Sequence, residues 1–450
     1  MSESPKKLDW QTGLDWGRIL PALTQHLDSY VKGYVDPERG TIYNGVTDYA
    51  PHFPTEAECL AEIPNSQGWF TAIEDNTLLS SWILWALARG VTGLDPKTRA
   101  SVGRHVFKGA TLLWSIPGNG FVARGLVPNS NAFFQNSSLE QLPNHLRGIW
   151  AWAKSDLATE ADRALAAEIF RSVLARLDRF DWILPRFDGQ PGTGSGSTSN
   201  IRGLGPLQVP QYLTYFLMAY DLTGEGRFLD QYRQARDEDG ARRLALLASD
   251  NYPNWHGYRM SIFSQCVTVI AQLDPEPATQ KACRAGLERM GVLGSNLFWH
   301  YPVGLPLDRP AAPLRRYDWR GAHRRCLEMG LDLRERRNQV LQGRMIAEMS
   351  ARDPDAPPVD GRERLVGYLF ALEAICLAGL PWLARTEASP AVDVDLKEHY
   401  WRVLYDIVDK SAPEIPWQWG FNALLSLASA ATGDGLACSS RRENGFSRNT

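Results

Sequence analysis

Apolar residues recur along this chain every three to four positions, and no stretch alternates apolar and polar residues as a half-buried strand would. The periodicity predicts two kinds of helix. One kind carries a single apolar stripe and a charged back, over 17–33, 97–114, 161–180, 227–248, 276–291 and 394–409. In the first of these the stripe is Ile19, Leu20, Leu23, Leu27, Tyr30 and Val31, and such helices belong at a surface. The other kind is apolar nearly all round, over 70–89, 139–154, 208–223, 258–272, 365–379 and 418–430, and has to be covered on most sides.

The two kinds alternate without exception, surface helix then covered helix, six times. Six helical hairpins predict an all-α fold, an (α/α)6 toroid of six inner and six outer helices, in one catalytic domain over 1–450. In such a ring the inner helices run parallel, and the segments leading into them meet at one mouth. These lead-in segments are 34–69, 115–138, 181–207, 249–257, 293–364 and 410–417, whereas returns such as GVTGLDPKT are short. Long loops on one face of a rigid scaffold are where binding concentrates. The segment 293–364 is an insertion with clustered Arg and aromatic residues. A lid over an acidic ligand and a contact with another copy of the chain, hence a homo-oligomer, are both open readings of it.

Composition then narrows the function. A formal net charge of -3 supplies no basic field for nucleic acid or an anionic membrane. No run of about 18 apolar residues occurs, and MSESPKKLDWQTGLDW lacks the apolar centre of a secretory signal. Six scattered cysteines without a CxxC pair fit a reducing compartment, so the expectation is a cytoplasmic protein with no structural zinc, other metal or cofactor. Tryptophan is as frequent as phenylalanine, 16 of each. Trp82, Trp85, Trp150, Trp152 and Trp401 fall inside helices and read as packing. Those in the lead-in segments, with Tyr43, Phe133, Phe134 and Trp319, are candidates to stack on sugar rings, which points to a small carbohydrate as the substrate.

Breaking a glycosidic bond takes a proton donor and a base. Helix 70–89 opens with Glu74 and Asp75, and helix 139–154 with Glu140 and Gln141. Both starts also have a structural reading, because a helix N-terminus favours acids and Ser138 with Gln141 has the spacing of a capping box. The candidate catalytic residues are Asp75 and Glu140, at matching heights on neighbouring inner helices, and His256 in NYPNWHGYR. Candidate substrate-binding residues are Trp69, Trp299 and Trp417 as platforms, with Arg124, Gln141, His145, Arg202, Gln211, Asn254 and Arg259 as hydrogen-bonding groups. His145 reads equally as a core histidine.

The alternation, the turn AYDLTGEGRFLDQY and the helix starts EDNTLL and NSSLEQ resemble the six-hairpin glycosidase superfamily, and loosely its unsaturated glucuronyl hydrolases. The resemblance implies a glycoside hydrolase in which an Asp near one inner helix start, here Asp75, donates the proton. A second acid on the next inner helix assists; it is Asp in the family and Glu140 here. A polysaccharide lyase using His256, Tyr258 and Asn254, a sugar epimerase, and a non-catalytic sugar-binding or protein-binding ring are the alternatives.

Overall fold

The computed structural model describes residues 16–44, 53–89, 94–192, 200–249, 257–298 and 319–333, with isolated positions over 335–345 and 402–406. Among the described residues the fold is all-α, with eleven helices and only isolated bridges such as Val35 to Ile42. In chain order they are α1 (Trp16–Tyr34), α2 (Glu56–Leu60), α3 (Asn76–Arg89), α4 (Pro96–Ser115), α5 (Gln141–Lys154) and α6 (Glu160–Arg179). Then come α7 (Gln208–Thr223), α8 (Gly226–Leu247), α9 (Gly257–Leu273), α10 (Pro277–Phe298) and α11 (Trp319–Glu328).

Helices α3, α5, α7 and α9 form an inner series, each packed on the next. Their all-round apolar surface is covered as expected: residues 76–87, 141–153 and 209–219 are buried without interruption. The striped helices lie outside them, α4 against α3 and α5, α6 against α5 and α7, α8 against α7 and α10, and α10 against α9. Between α3 and α5 the approach is close enough that Gly148 has its neighbour, Ser81 Cα, only 2.5 Å from where a Cβ would stand. Trp152 of α5 fills the space over Gly103 of α4 in the same manner.

The short returns carry their own stop and start signals. Asp95 caps α4 by accepting from the Lys97 and Thr98 N–H groups, with Pro96 in the first turn, and Thr159 and Asp162 form a reciprocal capping box on α6. Gly224 ends α7 in the left-handed region (φ 68°), which explains the Thr-Gly-Glu of that turn.

Three predicted boundaries are corrected. Helix α3 starts at Asn76 rather than 70, because residues 70–75 are tight turns and Phe70 takes φ 75°. Asp75 therefore precedes the helix, its carbonyl accepting an early helical bond from Leu79 N–H at 3.0 Å. Helix α5 starts at Gln141, leaving Glu140 just outside it. Helix α8 is broken at Glu238–Ala241, where Asp239, Gly240 and Ala241 all have positive φ.

The predicted helices 365–379 and 418–430 lie outside the described residues, as does most of 394–409. From the last, Val403 joins the core, and the Tyr405 ring lies 4.8 Å from the Arg18 guanidinium of α1. The described part of the 293–364 insertion docks on the first lead-in loop. Arg320 of α11 donates to both carboxylate oxygens of Glu58 in α2, at 2.6 and 2.8 Å, and Gln342 Nε2 donates to the Pro64 carbonyl at 3.0 Å. Among the described residues no helix is long and apolar enough to cross a membrane.

Candidate active site

The starts of the inner helices come together at one end of the bundle. Asp75, ahead of α3, is fixed by three separate segments. Its N–H donates to Asn44 Oδ1 at 2.7 Å, and Asn44 Nδ2 donates back to Asp75 Oδ2 at 3.2 Å. Its other oxygen, Oδ1, accepts from Arg124 Nη2 at 3.3 Å and from the Gln141 side-chain amide. The Gln141 carbonyl accepts in turn from the Thr77 hydroxyl. Gln141 is thus not the capping glutamine its spacing predicts. Half of that box forms, a 3.4 Å bond from the Gln141 N–H to Ser138 Oγ, while the side chain turns to Asp75.

Arg124 is held where a guanidinium would be costly without partners. It is 3 % exposed, its Nε donates to the Glu74 carbonyl at 2.9 Å, and its own carbonyl accepts from the Thr77 N–H at 3.3 Å. The following Gly125 makes this possible. A Cβ there would stand 2.4 Å from the Ile73 carbonyl oxygen, so only glycine lets the chain pass against the start of α3.

Glu140 completes the group. Desolvation raises its proton affinity, the nearby Arg124 lowers it, Asp75 raises it again, and Arg259 with a Tyr258 hydrogen bond lowers it. Desolvation prevails, and the carboxyl sits above the ordinary range. Tyr258 and Arg259 belong to the first turn of α9, where Arg259 Nε donates to the Tyr258 oxygen at 3.2 Å. Burial, and then the charge of Glu140, push the Tyr258 phenol up as well. No family model, curated protein or solved structure matches the chain. The chemistry of the site therefore rests on this geometry. Among the described residues, no group of three or more His, Cys, Asp and Glu is arranged to hold a metal ion.

Of the sequence-predicted residues, Asp75, Arg124, Glu140, Gln141 and Arg259 are brought together. Trp69 is half-buried on the loop before Asp75, its backbone N–H donating to Asn65 Oδ1 at 3.1 Å. Three others stand apart. Arg202 is exposed at the surface, 3.8 Å from both Asp181 and Glu238, beside the break in α8. Gln211 is fully buried and donates to the Leu139 carbonyl at 3.0 Å, tying α7 to the start of α5. His145 is 1 % exposed, neither ring nitrogen has a hydrogen-bond partner among the described residues, and burial lowers its pKa to about 3, so it is a neutral core histidine. His256, Asn254, Trp299 and Trp417 lie outside the described residues.

The lead-in aromatics also divide differently from the expectation. Tyr43 and Phe134 pack with Phe53, Cys59 and Ile73 in a small apolar cluster, and Trp319, the first residue of α11, is buried beside Ile63 and Phe70. These rings support the loops and leave no face free for a sugar. Asn44 and Thr77 were not among the predicted site residues, and Tyr258 was named only in the lyase alternative. Asn44 reads in sequence as part of an Asn-Gly turn, and Thr77 is one polar residue on an apolar helix, so neither gives a local signal.

Proposed function

We propose that the protein is a cytoplasmic glycoside hydrolase acting on a small carbohydrate, its site set in the mouth of a complete six-hairpin ring. The observation that supports this reading is the pairing of a desolvated carboxyl with a high proton affinity, Glu140, and a second carboxylate, Asp75, gripped by Asn44, Arg124 and Gln141. Two carboxylates in unlike environments divide the work of acid and base. Glu140, whose proton affinity burial raises, gives its proton to the departing sugar oxygen. Arg124 and Arg259 then stabilise the anion that remains. Asp75, whose oxygens accept hydrogen bonds from fixed donors, faces the sugar as the second carboxylate and directs the attacking water. These roles reverse those implied by the family resemblance. The half-buried Trp69 offers a platform for the sugar ring.

The lyase alternative asks a phenol or imidazole to take a proton; burial and the charge of Glu140 push the Tyr258 phenol away from that role, and His256 lies outside the described residues. A panel of p-nitrophenyl glycosides tests the hydrolase reading. Asp75→Asn and Glu140→Gln are each expected to lower kcat/KM by about 10²–10⁴-fold on whichever glycoside the wild type cleaves. Wild-type turnover by either variant would sink the proposal, and a product carrying an ultraviolet-absorbing double bond would favour the lyase.

A further inference from the structure

Pro143 interrupts the hydrogen bonding of the first turn of α5, and the interruption falls beside Glu140. The helical register begins ahead of the helix proper. The Leu142 N–H donates to the Ser138 carbonyl at 3.3 Å, and Glu140 already has helical φ and ψ of -86° and -36°. The next bond in that register would run from residue 143 to the Leu139 carbonyl, but a proline has no N–H to give. Gln211 of α7, which is fully buried, supplies the donor instead, its Nε2 lying 3.0 Å from the Leu139 oxygen. The Glu140 carbonyl that follows accepts from Asn144 Nδ2 at 2.8 Å. The Gln211 side-chain oxygen has no hydrogen-bond partner among the described residues. Burying half an amide unpaired is costly, so what the residue contributes is its donor.

We propose that Gln211 is a positioning residue for Glu140, replacing the helical bond that Pro143 omits and so fixing the peptide between Leu139 and Glu140 against α7. Without that donor the buried Leu139 carbonyl has to turn in search of another, and the Glu140 backbone turns with it. A displaced acid loses its alignment with the leaving oxygen, whereas Asp75 and Arg124, held by Asn44, Gln141 and the start of α3, keep theirs. The inference rests on the reading of Glu140 as the acid, but the tie from α7 can be tested without turnover.

The experiment is a rescue in the full-length protein. Gln211→Met keeps the volume and deletes the donor, and Pro143→Ala restores an N–H in register with the Leu139 carbonyl. Gln211→Met is expected to lower kcat about tenfold with KM within about twofold, Pro143→Ala to leave both within about twofold, and the double variant to regain kcat. Hydrogen exchange over 138–145, read by mass spectrometry, is expected to speed up about tenfold in Gln211→Met and to slow again in the double variant. A Gln211→Met protein with wild-type kcat and exchange, or a double variant no better than the single one, overturns the inference. Should Gln211→Met fail to fold alone, it is made in the Pro143→Ala background, where folding with wild-type exchange supports the tie and renewed failure overturns it. An exchange pattern rescued by Pro143→Ala in a protein that cleaves no glycoside overturns the hydrolase reading and leaves the tie standing.

Discussion

Gly148→Ala probes how the two carboxylates are held relative to each other. Gly148 lies mid-way along α5, and a Cβ there would stand 2.5 Å from Ser81 Cα and 3.0 Å from Ser81 Cβ and Oγ. Carbon atoms in contact need about 3.5–4.0 Å, so the added methyl has to part α3 and α5 by about 1 Å. The nearest blocking atom is backbone, so no rotamer change relieves it. Overpacking of this kind costs about 1–3 kcal/mol, and the higher helix propensity of Ala offsets about 1 kcal/mol of that. The net loss of stability is therefore modest, about 0–2 kcal/mol.

The effect on the site is not offset. Gln141 stands two turns above Gly148, about 10 Å along the axis, and Glu140 is next to it. A wedge that shifts them by about 1 Å against Asp75 is expected to cost about 10²-fold in kcat/KM. Stability is read by urea unfolding monitored through tryptophan fluorescence, since Trp85 and Trp150 face each other across this interface at 6.1 Å. A Gly148→Ala protein with wild-type kcat/KM and the full propensity gain in stability would refute the packing of α5 on α3 at Ser81.

Three further outcomes are expected. Gly226→Ala, in the first turn of α8 with nothing within 4 Å of the added atom, should stabilise the protein by about 0.4–1 kcal/mol in the same urea assay. For Glu58, desolvation raises the pKa, but the hydrogen bonds from Arg320 and Thr55 outweigh it and leave the group below its ordinary 4.5. The docking of α11 on α2 is then fully stabilised above that pH and lost as pH falls through the lowered value, so limited proteolysis within 319–333 should speed up on acidification and be fast already at neutral pH in Arg320→Ala. For His145 the folded pKa of about 3 lies below the unfolded 6.5. Its contribution is complete above pH 6.5 and is lost as pH falls toward the folded value, with a slope approaching about 1.4 kcal/mol per pH unit; His145→Gln should remove that slope from the urea-derived stability curve.

The sequence carries the architecture more fully than the chemistry, for a physical reason. The inner helices are buried on nearly every side, so α3, α7 and α9 announce themselves as apolar within single windows of sequence, whereas α5 buries Asn144, His145 and Arg147 as well. Asp75 and Glu140 are legible because a carboxylate at the edge of such a helix is conspicuous. What surrounds them is not. The bond from Asn44 to Asp75 spans 31 positions and that from Gln141 spans 66, and nothing local to either partner records it. The same limit misassigns Gln141, whose spacing from Ser138 is that of a cap although its amide serves Asp75. Arg202 and Trp319 mislead in the opposite direction. Each has the right residue type in a lead-in loop, but one is drawn to Asp181 and Glu238 and the other into an apolar cluster.

The central claim is that Glu140 delivers a proton to the departing sugar oxygen, and it is tested most directly by varying how much that oxygen needs one. The measurement is kcat/KM of Glu140→Gln relative to wild type across aryl glycosides whose leaving groups differ in acidity. A loss of about 10²–10⁴-fold is predicted for poorly acidic leaving groups, shrinking to less than about tenfold for a dinitrophenolate, which departs without protonation. A loss of equal size across the series, or none at all, would contradict the account.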